Sequence, residues 1–273
     1  MNYVDLINGV KMPKIGLGVY KMTKTNETKN AVIQALNAGY KAIDTASFYE
    51  NELEVGKAIQ SSKIPREDLF VTTKVWNDEQ GYDETLRAFE QSLKRLGLEY
   101  IDLYLVHWPV PNKFIDTYRA IERLYEEKLI RAPGVSNHHE SHILKLENKA
   151  NTPPMVNQVE CHPYLQQNKL LNYCKRNKII FTAWSPLGKG GALKDVTIQK
   201  LADKYEKTPA QIVIRWHMER DVVAIPKSVT PSRIKENSDV FNFSLDQEDI
   251  HEISQLDCNG RLGKNPDSND FNF

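Results

Sequence analysis

The chain has little cysteine, no net charge and no long apolar run, and each shortage excludes a class of protein. Three cysteines in 273 residues, Cys161, Cys174 and Cys258, are odd in number, widely spaced and form no CxxC pair. Neither a disulfide framework nor a cysteine-based zinc site is indicated, and a reducing interior is expected. Thirty-six basic side chains balance 36 acidic ones. That leaves no broad electrostatic footprint for nucleic acid or an anionic membrane, although a local basic pocket is compatible with it. No apolar stretch approaches the roughly 18 residues of a membrane span. The opening MNYVDLINGVKMP has no basic segment followed by an apolar one, so no secretory leader is expected and a cytoplasmic location is the default. Low-complexity tracts and linkers are missing too, which favours one domain over residues 1–273.

What is present is a rhythm. Asn8-Gly9 between two short alternating runs predicts an N-terminal β-hairpin. From Pro13 onward apolar runs alternate with amphipathic helical patterns. The runs are Lys14–Tyr20, Tyr40–Asp44, Leu69–Val75, Ile101–Val106, Ile130–Val135, Met155–Glu160, Ile179–Trp184 and Val222–Pro226. Helical patterns fall near 27–38, 50–61, 83–96, 115–127, 139–148, 166–176, 195–220 and 231–238. Thr208-Pro-Ala-Gln211 is a capping box with proline at the first helical position, and it splits the 195–220 region in two. Ser244-Leu-Asp-Gln-Glu starts an extra helix, with Ile250, Ile253 and Leu256 at helical spacing. The tail after Cys258, rich in Gly, Asn, Asp and Pro, reads as a surface extension. Eight strand–helix repeats with near-continuous apolar strands predict an α/β fold, a (β/α)8 TIM barrel with an N-terminal β-hairpin and an extra C-terminal helix. An open doubly wound sheet has the same rhythm, but no GxGxxG stands at any strand-to-helix turn.

In such a barrel chemistry collects at the C-terminal ends of the strands. Those ends carry Asp44, with Tyr49 just beyond; Lys74; His107 and Trp108; Ser136 and Asn137; Asn157, Gln158 and Glu160; Trp184 and Ser185; and Lys227 and Ser228. A lysine inside an apolar strand needs a partner. Asp44 on the neighbouring strand is the natural one, and by themselves the two could be a structural ion pair. An ammonium near Tyr49 would stabilise the phenolate and lower the phenol's pKa, making a general acid. His107 could donate a hydrogen bond to a substrate carbonyl, or be a satisfied core residue. His138, His139 and His142 look like a cluster but open a helix, and they are read as a solvated face.

The constellation resembles the aldo-keto reductase family, in its microbial, 2,5-diketo-gluconate reductase-like branch. The matching segments are Gly16-Leu-Gly-Val-Tyr20, Asp44-Thr-Ala-Ser-Phe-Tyr49-Glu-Asn-Glu, Thr73-Lys74-Val-Trp76, Leu105-Val-His107-Trp-Pro, Gly134-Val-Ser-Asn137, Asn157-Gln158-Val-Glu and Ile225-Pro-Lys227-Ser-Val. Together they run from about residue 5 to the end. The resemblance implies a tetrad of Asp44, Tyr49, Lys74 and His107 that reduces an aldehyde or ketone with a nicotinamide hydride, Tyr49 giving the proton. It implies that Ser136, Asn137 and Gln158 hold the nicotinamide carboxamide and that Trp184 stacks beneath the ring. Ser185 and Leu187 would contact the cofactor, and Leu187-Gly-Lys-Gly-Gly191 would fold over the pyrophosphate. Lys227, Ser228, Val229 and Arg233 would surround the adenosine 2′-phosphate, with Glu236 and Asn237 at the adenine, so NADPH is the expected cofactor. Tyr20, Trp76, His107 and Trp108 would line the pocket for a small carbonyl substrate. The resemblance implies a monomer, as members of the family often are, and no long exposed apolar stretch argues otherwise. No metal set appears and none is expected. Two departures stand out: Pro133 replaces an aliphatic residue and threatens the fifth strand, and His138 stands where Phe commonly follows the Asn. A non-catalytic NADPH-binding barrel and a Schiff-base enzyme using Lys74 are the competing classes.

Overall fold

A computed structural model describes residues 3–24 and 26–268. The chain opens with the hairpin β1 (Tyr3–Asp5) and β2 (Lys11–Pro13), paired antiparallel around the Asn8-Gly9 turn. Asn8 Nδ2 donates to the Arg131 carbonyl at 2.9 Å, which fastens the turn across the N-terminal end of the barrel. Leu6 and Met12 are buried there with Ala42, Phe70, Leu103, Ala132 and Met155. Sealing an aperture with two such side chains is worth roughly 1.5–3 kcal/mol each.

The barrel follows. Its strands are β3 (Leu17–Gly18), β4 (Ala42–Asp44), β5 (Phe70–Val75), β6 (Ile101–Val106), β7 (Ile130–Ser136), β8 (Val156–Glu160), β9 (Ile180–Trp184) and β10 (Val223–Ala224). They lie side by side in chain order, every neighbouring pair parallel. The two ends meet: Ile15 bridges Ala224, Gly16 N–H donates to the Ala224 carbonyl at 3.0 Å, and Gly18 N–H donates to Pro226 O at 3.1 Å. The first and last strands are shorter than the apolar runs predicted, because this seam is bonded locally rather than as a full ladder. A closed sheet leaves no edge to protect. Gly16 and Gly18 suit the seam: a Cβ at Gly18 would stand 3.0 Å from the Ile225 carbonyl oxygen.

The helices are α1 (Glu27–Asn37), α2 (Glu52–Ser62), α3 (Tyr82–Leu96), α4 (Phe114–Glu126), α5 (Glu140–Glu147), α6 (Asn168–Arg176), α7 (Val196–Tyr205), α8 (Pro209–Glu219), α9 (Pro231–Ser238) and α10 (Gln247–Ser254). Their apolar faces cover the barrel wall, with Val32, Val55, Phe89 and Ile121 packed against Ile43, Val71, Tyr104 and Val135 in one core. The predicted capping box is formed: Thr208 Oγ1 accepts from Gln211 N–H, and Gln211 Oε1 accepts from Thr208 N–H. α3 stops at Gly97, whose φ of 62° is the left-handed cap that ends a helix cheaply. The extra helix α10 lies on the flank as expected, its Ile253 buried with Leu201, Trp216 and Leu245. Pro133 does not interrupt β7. It pairs with Tyr104, and its carbonyl accepts from Met155 N–H at 2.9 Å. No helix among the described residues is long and apolar enough to cross a membrane.

One reading is refined and one corrected. The tail is a surface extension, not loose but tied down as a strap over the C-terminal ends of the strands. Gly260 N–H donates to Tyr164 O at 2.8 Å, while Leu262 and Gly263 N–H donate to the two oxygens of Glu160 at 2.6 and 2.9 Å. Burial works to raise the Glu160 carboxyl, yet His162 and those two N–H groups hold it below its ordinary 4.5. The histidines are not a solvated face. His138 is fully buried against Phe114, with Nδ1 2.8 Å from Ser136 O. His139 Nδ1 meets Asp267 of the tail at 2.7 Å. Composition near a helix start cannot show that a distant strap will cover it.

Candidate active site

β4 delivers Asp44 at its last residue, and a 3-10 turn, Ser47–Tyr49, follows at once. Next to it β5 carries Lys74, fully buried. Its ammonium lies 2.6 Å from Asp44 Oδ1, 2.8 Å from the Thr45 carbonyl and 3.5 Å from the Tyr49 hydroxyl. The second Asp44 oxygen accepts from Gln158 Nε2 at 2.6 Å. His107, just past the end of β6, presents its ring edge-on to Tyr49, centroids 5.8 Å apart. The four residues of the expected tetrad are therefore gathered at one end of the barrel.

The electrostatics differ from the expectation in one respect. Burial first, then the Asp44 carboxylate and Tyr20, push the Tyr49 phenol well above its ordinary value of 10.0. The nearby cation does not win, because Asp44 lies on the same ammonium and the ring is packed away from water. Tyr49 is thus a protonated donor throughout the neutral range. Burial also lowers Lys74, against the opposing pull of Asp44, and it drives His107 well below 6.5 with help from the Lys74 charge. His107 is neutral, and its Nδ1 is buried without a partner among the described residues.

An aromatic wall surrounds this group. Tyr20 is 46% exposed and tilts over Tyr49 at 4.8 Å, whereas Trp108 is buried. Trp76 stands 4.9 Å from the His107 ring. Phe48, which was not singled out, stacks on Trp76 at 3.7 Å with planes 16° apart. Its place immediately before Tyr49 was the one available signal.

The residues expected at a nicotinamide carboxamide also converge. Asn137 Nδ2 donates to Ser136 Oγ at 3.2 Å and to the His107 carbonyl at 3.0 Å, and Ser136 Oγ donates to Gln158 O at 2.8 Å. Trp184 Nε1 donates to Asn137 Oδ1 at 2.8 Å, so the indole is tied to this cluster. Ser185 takes a left-handed φ of 49°, Leu187 packs into the core, and Lys189 Nζ in the loop beyond reaches Leu262 O at 3.1 Å. The second group lies at the start of α9. Lys227, Val229 and Arg233 are exposed, Ser228 and Asn237 are buried, and the α9 N-cap Thr230 makes no side-chain cap. Glu236 accepts from Thr208 Oγ1 at 2.7 Å at the start of α8. Among the described residues no group of three or more His, Cys, Asp or Glu side chains is arranged to hold a metal ion.

The closed parallel barrel thus gathers Asp44, Tyr49, Lys74 and His107 at its C-terminal mouth. Residues 14–257 match the model of the aldo/keto reductase family, and the chain belongs to that family. It is 51% identical over 270 residues to the 9,11-endoperoxide prostaglandin H2 reductase of Trypanosoma cruzi, covering 98% of this chain and 95% of that one. It is 50% identical over 264 residues to the glyoxal reductase of Bacillus subtilis, covering 97% and 96%. Among solved structures, a Gox0644 mutant in complex with NADPH superposes with a TM-score of 0.94 at 42% identity, covering 99% of each chain.

Proposed function

We propose that the chain is a single-domain, NADPH-dependent reductase of small aldehydes and ketones, with Tyr49 as proton donor. The observation that carries this reading is the Lys74 ammonium held between Asp44 and the Tyr49 hydroxyl. An ion pair serving only stability would not need a phenol as a third member at a strand mouth.

The residues present fit the cofactor. The uncapped start of α9 with Arg233 in its first turn and Lys227 exposed nearby suits a phosphate. Ser136, Asn137 and Gln158 offer a hydroxyl and two amides in one patch, suited to a carboxamide. The Gln158 amide and Asn137 Oδ1 are bonded within the protein here, so binding exchanges those bonds for new ones. When bound, NADPH supplies the hydride. The remaining chemistry belongs to the side chains. Negative charge growing on the substrate oxygen is met by the Tyr49 O–H and by the neutral His107 ring. Tyr49 gives its proton to that oxygen. Lys74 steadies the phenolate left behind, and Asp44 keeps Lys74 charged and in place. Solvent then restores the Tyr49 proton. The aromatic wall of Tyr20, Trp76 and Trp108 suits small carbonyl compounds, and the similarity to the glyoxal reductase of Bacillus subtilis makes glyoxal the first to try.

Following NADPH oxidation with glyoxal and a panel of small aldehydes tests the reading. Tyr49→Phe should lose general-acid help, worth roughly 10²–10⁴-fold in kcat, while still binding NADPH. Undiminished turnover in that variant would remove Tyr49 from the role. Tight NADPH binding with no turnover of any aldehyde by the wild type would instead favour a non-catalytic barrel.

A further inference from the structure

The loop after β5 carries a carboxylate for which the roles above have no use. Glu79 Oε2 accepts from the Ser47 hydroxyl at 2.5 Å and from the Trp76 backbone N–H at 3.1 Å. Ser47 opens the 3-10 turn that aims Phe48 and Tyr49, and its Oγ also lies 3.1 Å from the Lys74 carbonyl oxygen. One carboxylate oxygen thus joins the turn bearing the phenol to the start of the loop bearing Trp76. Across that junction Phe48 and Trp76 stack. The loop itself is well anchored. Gln80 Nε2 donates to the Trp108 carbonyl at 2.7 Å, and Gly81 N–H donates to Thr117 Oγ1 on α4 at 2.9 Å.

The turn needs such a tether. It has two short-range backbone bonds of its own, Tyr49 N–H to Ala46 O and Glu50 N–H to Ser47 O, and its N-cap has no side-chain cap. A three-residue 3-10 turn held by two bonds is a weak platform for a group that must be placed to a fraction of an ångström. A hydrogen bond to a carboxylate is roughly twice as strong as a neutral one, and this one runs between separate loops.

We propose that Glu79 is a positioning residue: through Ser47 it fixes the turn carrying Tyr49, and through Trp76 N–H it fixes the aromatic wall. The catalytic half of this inference rests on the reading of Tyr49 given above; the geometric half does not. Four variants decide it: Glu79→Ala, Glu79→Gln, Ser47→Ala and the Glu79→Ala/Ser47→Ala double. Each is measured for kcat and KM with glyoxal at saturating NADPH and for NADPH Kd. Each is also examined by 19F NMR after 5-fluorotryptophan labelling, with the Trp76 resonance assigned by Trp76→Phe. In Glu79→Ala, kcat should fall about tenfold, within the roughly 10²-fold that a 1 Å misplacement can cost. NADPH Kd should stay within about twofold, since no cofactor group is touched, and the Trp76 resonance should move. Glu79→Gln, which keeps an accepting oxygen, should restore both. The double variant should cost little more than the worse single one, because both cut the same bond. The inference is overturned if folded Glu79→Ala leaves the Trp76 resonance in place, or if its kcat stays within about twofold of wild type. Should Glu79→Ala fail to fold, Ser47→Ala decides by the same two readouts. If the wild type reduces no aldehyde yet the resonance moves, the reading of Tyr49 fails and the tether stands.

Discussion

A lysine in the wall of a closed barrel persists only inside a charge arrangement that answers its desolvation. Lys74 has that arrangement: a carboxylate at 2.6 Å, a carbonyl at 2.8 Å and a phenol at 3.5 Å. Breaking a buried pair by removing one member typically costs about 3–5 kcal/mol, so Asp44 matters to stability whatever its part in the proposed chemistry. At the other end of the proposed cofactor cleft Lys227 and Arg233 are exposed, so their charges answer no desolvation. Arg233 stands in the first turn of a helix with no side-chain N-cap. If it meets the 2′-phosphate, Arg233→Ala should weaken NADPH binding by about tenfold or more, given the roughly 1.5–3 kcal/mol of a hydrogen bond to a charged group. NADH affinity should hardly change. Fluorescence titration with both nucleotides checks this, and an equal loss for the two would refute the phosphate role.

At the scale of elements, the start of α5 shows how a local pattern misleads. Three histidines in five positions read as a wet surface, yet His138 is sealed against Phe114 and its pKa is pushed down to about 3 by burial. His217, buried on α8 with Nε2 3.1 Å from Pro186 O, is likewise pushed to about 3. Between pH 6.5 and about 3 the unfolded chain binds these two protons and the native one does not. Stability is therefore full above 6.5 and is lost as pH falls through that window. His138→Phe should make the fall shallower by about one proton in the slope of unfolding free energy against pH. Urea unfolding at a series of pH values measures that slope. An unchanged slope would show that His138 is protonated in the native protein.

Across the whole molecule, the barrel depends on a seam between its first and last strands. A Cβ at Gly16 would lie 3.1 Å from Ala42 Cβ and 3.4 Å from Ile225 Cγ2, on both sides of the seam at once. Gly16→Val should wedge these strands apart at a cost of about 1–3 kcal/mol, the usual range for overpacking. In a chain of this size that is roughly 2–4 °C of Tm per kcal/mol, read by thermal denaturation. A variant as stable as the wild type would mean that the seam yields more easily than its packing implies. The tail belongs to this scale too, since it ties together three connections: Glu160 and Tyr164 at and after the end of β8, His139 before α5 and Lys189 after β9.

Much of this was written in the chain. Eight apolar runs at regular spacing, Asn8-Gly9 and the Thr208–Gln211 box depend on near neighbours, so the barrel, the hairpin and the split helix could be read directly. That Asp44, Lys74 and His107 would gather near Tyr49 was legible because strand ends in a parallel barrel all face one mouth, whatever the details of packing. Other features come from residues far apart in sequence and needed the folded chain. Glu79 reaches back 32 positions to Ser47, Glu160 forward 103 to Gly263, and His139 forward 128 to Asp267. The state of the Tyr49 phenol belongs with these. Types and spacing set which groups would meet, but whether the Lys74 charge or burial governs the proton depends on how much water the closed site retains, and only the packing decides that.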